Sequence, residues 1–263
     1  MPLGDEGLGS GGDGHGRMVS ICVHGSKIGF SEPNTMGAQN INLRDQAAYG
    51  VAEAARYLKL PSATLRSWVV GRAYPKGETF AKFQPLIKPA RKEPAVLSFY
   101  NLVEAHVLRS LRTDHGVAIR ELRKAINYAE RALKIERLLL SKDLSTHAGT
   151  LFLEKYGELI NLTASGQLAM RRLLEAHLKR VEWDEWKFPV RLYPYVSAES
   201  TGLRPIAIDP DIAFGRPVVY RAGVSTEAIA ERIDAGETVD ALAEDYDLKP
   251  EEIEEAVLYE RVA

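Results

Sequence analysis

Two short amphipathic segments between residues 49 and 71 give the first clear pattern of apolar positions in the chain. One face of the first predicted helix carries Val51, Ala54, Ala55 and Leu58. Pro61 ends this helix because it lacks an amide hydrogen and disfavours helical backbone at the preceding residue. Ser62 is a good N-cap for a second helix to about Val70, with Leu65 and Trp68 facing inward. Two short helices joined by a tight turn predict a helix-turn-helix.

Longer amphipathic segments follow. Residues 73–97 contain four prolines, which predicts a loop or a short wing. Apolar residues at helical spacing predict further helices at 97–111, 117–140 and 167–181. Two apolar runs, 151–153 and 159–162, flank a possible turn at 155–157 and predict a β-hairpin.

The C-terminal segment repeats the helix-turn-helix outline. Two extended pieces, 206–208 and 217–220, precede three short helices at 226–234, 239–246 and 250–259. The chain as a whole is therefore predicted to be mainly α with a short β-hairpin and short strands. Its architecture is a winged helix-turn-helix followed by a C-terminal trihelical domain.

This pattern divides the chain into four regions. Residues 1–45 are rich in glycine and contain too few apolar side chains to offset their backbone entropy, so we expect a disordered tail or a tag. Met36 is a candidate for the natural start of translation. Residues 46–140 hold the helix-turn-helix region, 141–203 a hairpin, a helix and a linker, and 204–263 the trihelical domain.

The composition is that of an ordinary globular protein. The 263 residues are 45% hydrophobic and 27% charged, which excludes a wholly disordered or fibrous chain. A single cysteine excludes a disulfide framework and a cysteine-rich zinc site, and it fits a reducing cytoplasm. No apolar run reaches about eighteen residues, so no membrane span is predicted.

The formal net charge of −2 hides an asymmetry along the chain. Residues 49–137 carry 17 basic and 8 acidic residues, whereas residues 205–263 carry 5 basic and 15 acidic ones. The basic region 49–137 and the acidic region 205–263 suggest two segments with different partners. The alternative is that these charges lie on solvated helix faces.

The second helix of the helix-turn-helix carries residues suited to DNA. Small hydroxyl side chains at a helix N-terminus, here Ser62 and Thr64, can reach phosphates or base edges, and the helix dipole favours phosphate there. Ser67, further along the same helix, is also a candidate DNA contact. Arg66 and Arg72 can neutralise phosphates, whereas only contacts to base edges specify a sequence. A hairpin that serves purely as scaffold is the alternative, and the positive charge around it weighs against that alternative.

The last helix has the opposite charge. It carries Glu251, Glu252, Glu254 and Glu255, which the phosphate backbone of DNA would repel. We therefore expect this unit to bind a protein or to dimerise, with an acidic solvated surface as the alternative. Arg216 either reaches an acidic pocket of a partner or, as we favour, forms salt bridges to nearby aspartates.

Candidate catalytic and metal-binding motifs are absent from the sequence. Asp209 and Asp211 flank Pro210 and could bind a hard cation, but a turn with Asx capping explains them better. The six histidines lack metal-ligand spacing, and there is no nucleophile elbow, P-loop or dinucleotide-binding glycine motif. We predict no enzyme activity, no metal and no cofactor.

Two sets of motifs resemble known families. The segment from Tyr49 to Ala55, read together with Thr64 to Trp68, resembles the helix-turn-helix of the MerR regulators. A second, spaced set resembles a small antitoxin-associated C-terminal domain of formerly unknown function. That set reads Ile208-Asp209-Pro210, Gly215-Arg216-Pro217-Val218, Ala235-Gly236-Glu237-Thr238, Leu242-Ala243-Glu244-Asp245-Tyr246 and Ile253 to Tyr259.

Chains with both parts resemble VapB-type antitoxins that pair with a PIN-domain ribonuclease toxin. The resemblance implies two roles, neutralising the toxin and repressing the shared promoter, and a homodimer matches a palindromic operator. By this resemblance, Thr64, Arg66 and Trp68 fall where MerR-type recognition helices touch DNA, while Ser67 replaces the usual aromatic residue. The alternative is a stand-alone MerR-like transcriptional regulator, which a toxin-sized reading frame beside the gene would argue against.

Overall fold

Short helices dominate the described part of the chain, and short strands join them. In this computed structural model the described residues are 42–76, 79–112, 119–161, 163–194 and 204–262. Their helices are α1 (Val51–Tyr57), α2 (Ser62–Val69), α3 (Phe99–Arg112), α4 (Ile119–Leu133), α5 (His147–Leu159), α6 (Ala164–Leu178), α7 (Thr226–Asp234), α8 (Val239–Asp245) and α9 (Pro250–Arg261). Their strands are β1 (Tyr49–Gly50), β2 (Arg72–Lys76), β3 (Thr79–Phe83), β4 (Arg91–Lys92), β5 (Ala95–Leu97), β6 (Val181–Trp183), β7 (Pro189–Leu192), β8 (Ile206–Ile208), β9 (Pro217–Val219) and β10 (Val224–Ser225). The predicted mainly α fold with minor β is confirmed.

The helix-turn-helix and its wing form as the sequence indicates, except that the N-cap of α2 is Pro61 and the predicted cap, Ser62, is the first helical residue. Helices α1 and α2 are joined by a tight turn in which Lys59 adopts a left-handed φ of 52°. The proline-rich segment after α2 begins with the antiparallel β2–β3 hairpin, which is the wing. Strands β4 and β5 follow, and β5 also pairs with β1, so the wing segment returns to the start of α1.

Four longer helices form the scaffold behind the helix-turn-helix. Helix α3 packs on α6, and α4 packs on α5. The inner face of α3 is fully buried because its apolar residues recur at helical spacing; it includes Leu102, Val103, Leu108 and Leu111. These residues belong to one hydrophobic core with Leu65 and Trp68 of α2, so the recognition helix is anchored in the scaffold.

The β-hairpin predicted at residues 151–162 is wrong, because residues 151–159 belong to helix α5. Phe152, Leu153 and Tyr156 fall on one buried face of that helix, so the two apolar runs belong to a helical stripe. Gly157 does not form the predicted turn. Its lack of a side chain permits close contact between α5 and α6. A Cβ at this position would lie 2.6 Å from the side-chain amide nitrogen of Gln167.

The C-terminal unit, defined here as residues 204–262, is tied to the scaffold by a sheet. Strands β6 to β10 form a five-stranded antiparallel sheet in the order β10-β9-β8-β7-β6. Since β7 precedes the unit and β8 begins it, the sheet joins the third and fourth predicted regions. Helices α7, α8 and α9 cover a second apolar core that includes Val219, Ile229 and Leu242.

Residues 43–45, which the sequence assigns to a disordered tail, are structured. Residues 1–41, including the candidate start Met36, lie outside the described residues. Leu43–Asp45 forms a 3₁₀ turn, and Arg44 binds the carboxylate of Asp184 at 2.8 Å. This ion pair and the turn show that residues 43–45 belong to the folded part.

Candidate nucleic-acid interface and partner surface

The outer face of α2 presents small hydroxyl residues and an arginine. Ser62 and Arg66 are exposed, and Thr64 and Ser67 are partly exposed. The first turn of α2 contains no acidic residue, so nothing there opposes the positive end of the helix dipole. The Ser67 hydroxyl donates a hydrogen bond to the carbonyl of Thr64 at 2.7 Å, and its oxygen can still accept one. This face suits contacts to phosphates and base edges.

Trp68 does not belong to that face. Its side chain is 1% exposed and lies in the core together with Leu65. A residue buried at this level cannot touch a DNA groove, so the prediction that Trp68 contacts DNA is wrong. Its role is to anchor α2, because Leu86 and Ile87 also donate their amides to the Trp68 carbonyl at 2.7 and 3.1 Å. That contact places the segment after the wing against α2.

The wing and the segment that follows it add further exposed cationic side chains. Arg72 lies at the start of β2 and is exposed, in the position that the sequence suggested for a phosphate contact. Tyr74 and Phe83 stack at 4.1 Å between ring centroids and stiffen the hairpin, while Phe80 is 79% exposed. Within the described ranges, a set of six exposed cations forms no ion pair with a carboxylate: Arg66, Arg72, Lys82, Lys88, Arg91 and Lys92.

Sequence reasoning missed four of these six cations. Lys82, Lys88, Arg91 and Lys92 contribute to the positive balance of residues 49–137, which was the available signal. The balance alone does not separate a cation that faces solvent from one that is neutralised within the fold. Arg109 and Arg137 illustrate the second kind, since they bind the carbonyl of Leu58 and the carboxylate of Glu104.

The loop around Asp209 is a structural turn. Asp209 accepts a hydrogen bond from the amide of Asp211 at 2.9 Å, which is the Asx turn that the sequence favoured. The same carboxylate pairs with Arg191 at 2.9 Å. Arg216 is exposed and has no ion pair among the described residues, so its predicted salt bridge to the aspartates is wrong. Arg191 takes that place instead.

Arg216 lies directly after a strained turn. Ala213, Phe214 and Gly215 have φ values of 48°, 57° and 75°, a left-handed run that is rare for residues with a side chain. The Phe214 side chain is 95% exposed. An exposed phenylalanine beside an exposed arginine has the chemistry of a protein contact, because aromatic residues and arginine are enriched in interfaces.

The acidic face of α9 contains three of the four predicted glutamates. Glu251 and Glu254 are exposed and Glu255 is partly exposed. Glu252 instead binds Arg221 at 3.1 Å and caps α9 by accepting the amide hydrogen of Lys249 at 2.9 Å. Burial acts to raise the pKa of Glu252, but these hydrogen bonds outweigh burial and hold that pKa below its ordinary value. Glu252 therefore stabilises the helix.

In the described ranges, no three side chains of His, Cys, Asp or Glu lie close enough together to hold a metal ion. No described helix combines the length and the apolar character needed to cross a bilayer.

Two family models match this chain. A family described as "Putative DNA-binding HTH domain" matches residues 47–126, which hold the helix-turn-helix, the wing and the start of the scaffold. A family described as "Protein of unknown function (DUF433)" matches residues 206–259 in the C-terminal unit. The fold and these matches define a helix-turn-helix protein with a C-terminal DUF433 domain.

A curated relative gives the family. The chain is 30% identical over 242 residues to "Putative antitoxin VapB45" of Mycobacterium tuberculosis, covering 84% of this chain and 97% of that protein. The chain therefore belongs to the VapB antitoxin family of which that protein is a member. The crystal structure of Rv2018 from Mycobacterium tuberculosis has a TM-score of 0.59 at 23% identity, covering 80% of this chain and 97% of that one. This second likeness shows the shared fold.

Proposed function

We propose that this chain is a non-enzymatic antitoxin that neutralises a PIN-domain ribonuclease toxin and represses its own promoter. It acts as a homodimer in the cytoplasm and binds operator DNA through α2 and the wing. The observation that carries the DNA-binding role is the set of exposed cations on α2 and the wing, Arg66, Arg72 and Lys82, which form no ion pair among the described residues. Phosphate neutralisation requires cations in that state.

The DNA-binding role assigns distinct tasks to the residues of α2. Ser62 and the amides at the helix N-terminus bind phosphate, while Thr64, Arg66 and Ser67 face base edges in the major groove. Arg72 and the wing cations bind the backbone on either side. A two-fold dimer then presents two copies of α2 to two half-sites of the operator.

Replacing Arg66 with alanine tests this role. We expect operator affinity, measured by fluorescence anisotropy on a duplex from the promoter of its own gene, to fall about 10- to 100-fold. Arg172→Ala on α6 removes the same charge outside the helix-turn-helix and serves as the control. Equal binding by wild type and Arg66→Ala would remove α2 from the interface, whereas equal losses in both variants would indicate a non-specific effect of charge.

The toxin-binding role is supported by the acidic C-terminal unit. A ribonuclease attracts RNA with a basic surface, and the exposed glutamates of α9 are complementary to such a surface. Leu258 follows them on the same face and is 42% exposed, which adds an apolar contact to the charged ones. The Phe214–Arg216 turn is a second candidate contact on the same unit.

Co-expression with the product of the adjacent small gene tests the toxin-binding role. We expect the two chains to elute as one complex in size exclusion, and the ribonuclease activity of the toxin alone to be silenced in that complex. Absence of both a complex and a nuclease, with operator binding intact, would favour the stand-alone regulator instead.

A further inference from the structure

The end of α1 is capped by a residue from the opposite end of the chain. Tyr259 of α9 is fully buried, and its hydroxyl donates a hydrogen bond to the carbonyl oxygen of Tyr57 at 2.8 Å. Tyr57 is the last residue of α1, where helix carbonyls lack partners within the helix. The C-terminal unit therefore provides the hydrogen-bond donor for the Tyr57 carbonyl, which lies where the turn begins.

The turn itself rests on the same tyrosine. The Lys59 ammonium lies 3.9 Å from the centroid of the Tyr259 ring, in cation–π geometry. Lys59 is also the left-handed residue that reverses the chain between α1 and α2. The hydroxyl and the ring of one side chain thus contact two consecutive parts of the turn that leads into the recognition helix.

Ion pairs surround this buried contact. Arg56 of α1 binds Glu227 of α7 at 3.2 Å and Glu260 of α9 at 3.5 Å. Because these charges are partly exposed, each pair adds modest stability, but together they fix the angle between α1 and the unit.

The beginning of α1 is held as well. Gly215 of the C-terminal unit packs so closely on Tyr49 that a Cβ on the glycine would lie 2.0 Å from the tyrosine hydroxyl. Tyr49 lies in β1, directly before α1. The unit therefore contacts both ends of the first helix of the motif, while the outer face of α2 stays open.

We propose that Tyr259 is a positioning residue for DNA binding and that the C-terminal unit sets the orientation of the recognition helix. This inference rests on the proposed operator binding by α2. Helix α2 continues from α1 through a turn of four residues, so a shift of that turn moves Arg66 and Thr64 relative to the wing. A protein bound to the C-terminal unit then acts on the operator-binding surface through Tyr259.

Tyr259→Phe in the full-length chain tests the inference, because phenylalanine keeps the ring and removes the hydroxyl. We expect operator affinity to fall about tenfold, and amide hydrogen exchange at residues 58–65 to rise more than exchange within α9. Tyr220→Phe, an exposed tyrosine of the same unit, is the matched control. Unchanged affinity and unchanged exchange at the turn would overturn the inference.

Glu227→Gln separates positioning from simple electrostatics. This substitution removes an acidic partner of Arg56 from the surface, so an effect of charge alone would tighten DNA binding. Positioning predicts the reverse, a loss of about threefold with higher exchange at the turn. Tighter binding would overturn the inference.

Failure of the proposed function gives a different result. If the wild type binds no promoter duplex, operator binding is refuted. The exchange measurement still reports whether Tyr259 orders the turn, because it needs no DNA.

Discussion

The helix-turn-helix and the C-terminal unit contain similar helical pairs with opposite electrostatics. In both, a short helix leads through a tight turn into a second helix: α1 into α2, and α8 into α9. The first turn of α2 has no acidic residue, whereas that of α9 has Glu251 and Glu252. Acidic side chains in the first turn of a helix interact with the positive end of its dipole. A helix without them leaves that end available to an external anion. The same outline is therefore suited to different partners.

The two regions also differ in whether their arginines form ion pairs with carboxylates. Three arginines of the C-terminal unit, Arg221, Arg232 and Arg261, each bind a carboxylate of that unit within 3.2 Å, whereas Arg216 forms no ion pair among the described residues. By contrast, Arg66 and Arg72 have no such partner among the described residues. A cation that is already paired gains little from a phosphate, because it must first give up its carboxylate. The pairing of cations therefore distinguishes Arg66 and Arg72 from Arg221, Arg232 and Arg261, whereas the number of cations does not.

The largest predicted effect is on the free energy of unfolding, and it should differ between the buried and the exposed side of α2. Trp68→Ala removes a side chain that is 1% exposed, so we expect the free energy of unfolding to fall by about 3–5 kcal/mol. Arg66→Ala, on the exposed side, should change it by less than about 0.5 kcal/mol. Urea unfolding followed by circular dichroism measures both values. A loss below about 1 kcal/mol for Trp68→Ala would contradict its burial and return Trp68 to the list of candidate DNA contacts.

A smaller effect is expected on toxin binding when the exposed glutamates of α9 are neutralised. Replacing Glu251, Glu254 and Glu255 together with glutamine should weaken toxin binding about tenfold at low salt, since rim charges contribute up to about 1 kcal/mol each. The difference from wild type should shrink as salt is added, because screening removes the same interactions. Isothermal titration at two salt concentrations measures this.

A second triple variant controls for net charge. Glu231, Asp240 and Glu244 are also exposed acidic residues of the C-terminal unit but lie outside α9. Their amide variant should leave toxin affinity nearly unchanged. Equal losses in both triples would mean that the overall charge of the unit, and not the face of α9, attracts the toxin.

Local patterns in the sequence predicted much of the fold. Pro61 and Ser62 mark the turn and the start of α2, and the predicted helices 226–234, 239–246 and 250–259 agree with α7, α8 and α9 to within two residues. Local patterns failed at 151–162, where two apolar runs around a glycine fit either a hairpin or a helix. Packing of Phe152 and Tyr156 against the core decides for the helix.

Contacts between distant residues could not be predicted from a single sequence. The hydrogen bond from Tyr259 to Tyr57 joins residues 202 positions apart, and no local pattern indicates it. The same holds for Arg191, which takes the aspartate that seemed available to Arg216. Candidate DNA residues were predicted by type and helix position, but only burial separates Arg66 from Trp68.

The smallest predicted effect is the contribution of the Arg221–Glu252 ion pair to the free energy of unfolding, which should depend on pH. Hydrogen bonds from Arg221 and the Lys249 amide lower the pKa of Glu252 against the opposing effect of burial. A lowered folded-state pKa means that Glu252 stabilises the fold above its ordinary pKa and that this contribution disappears as the pH falls through the folded value. Glu252→Gln keeps an acceptor for the helix cap but loses the charge.

We therefore expect wild type to exceed Glu252→Gln in unfolding free energy by less than about 1 kcal/mol at pH 7, after allowance for solvent screening, and by a smaller margin at pH 3. Urea unfolding at both pH values measures this difference, with Glu231→Gln as the control for one lost carboxylate. A difference that stays constant with pH would mean that the Arg221–Glu252 pair contributes no stability through its charges. Arg221 would then be as available to an anion as Arg66, and the contrast between the two regions would depend on the acidic residues alone.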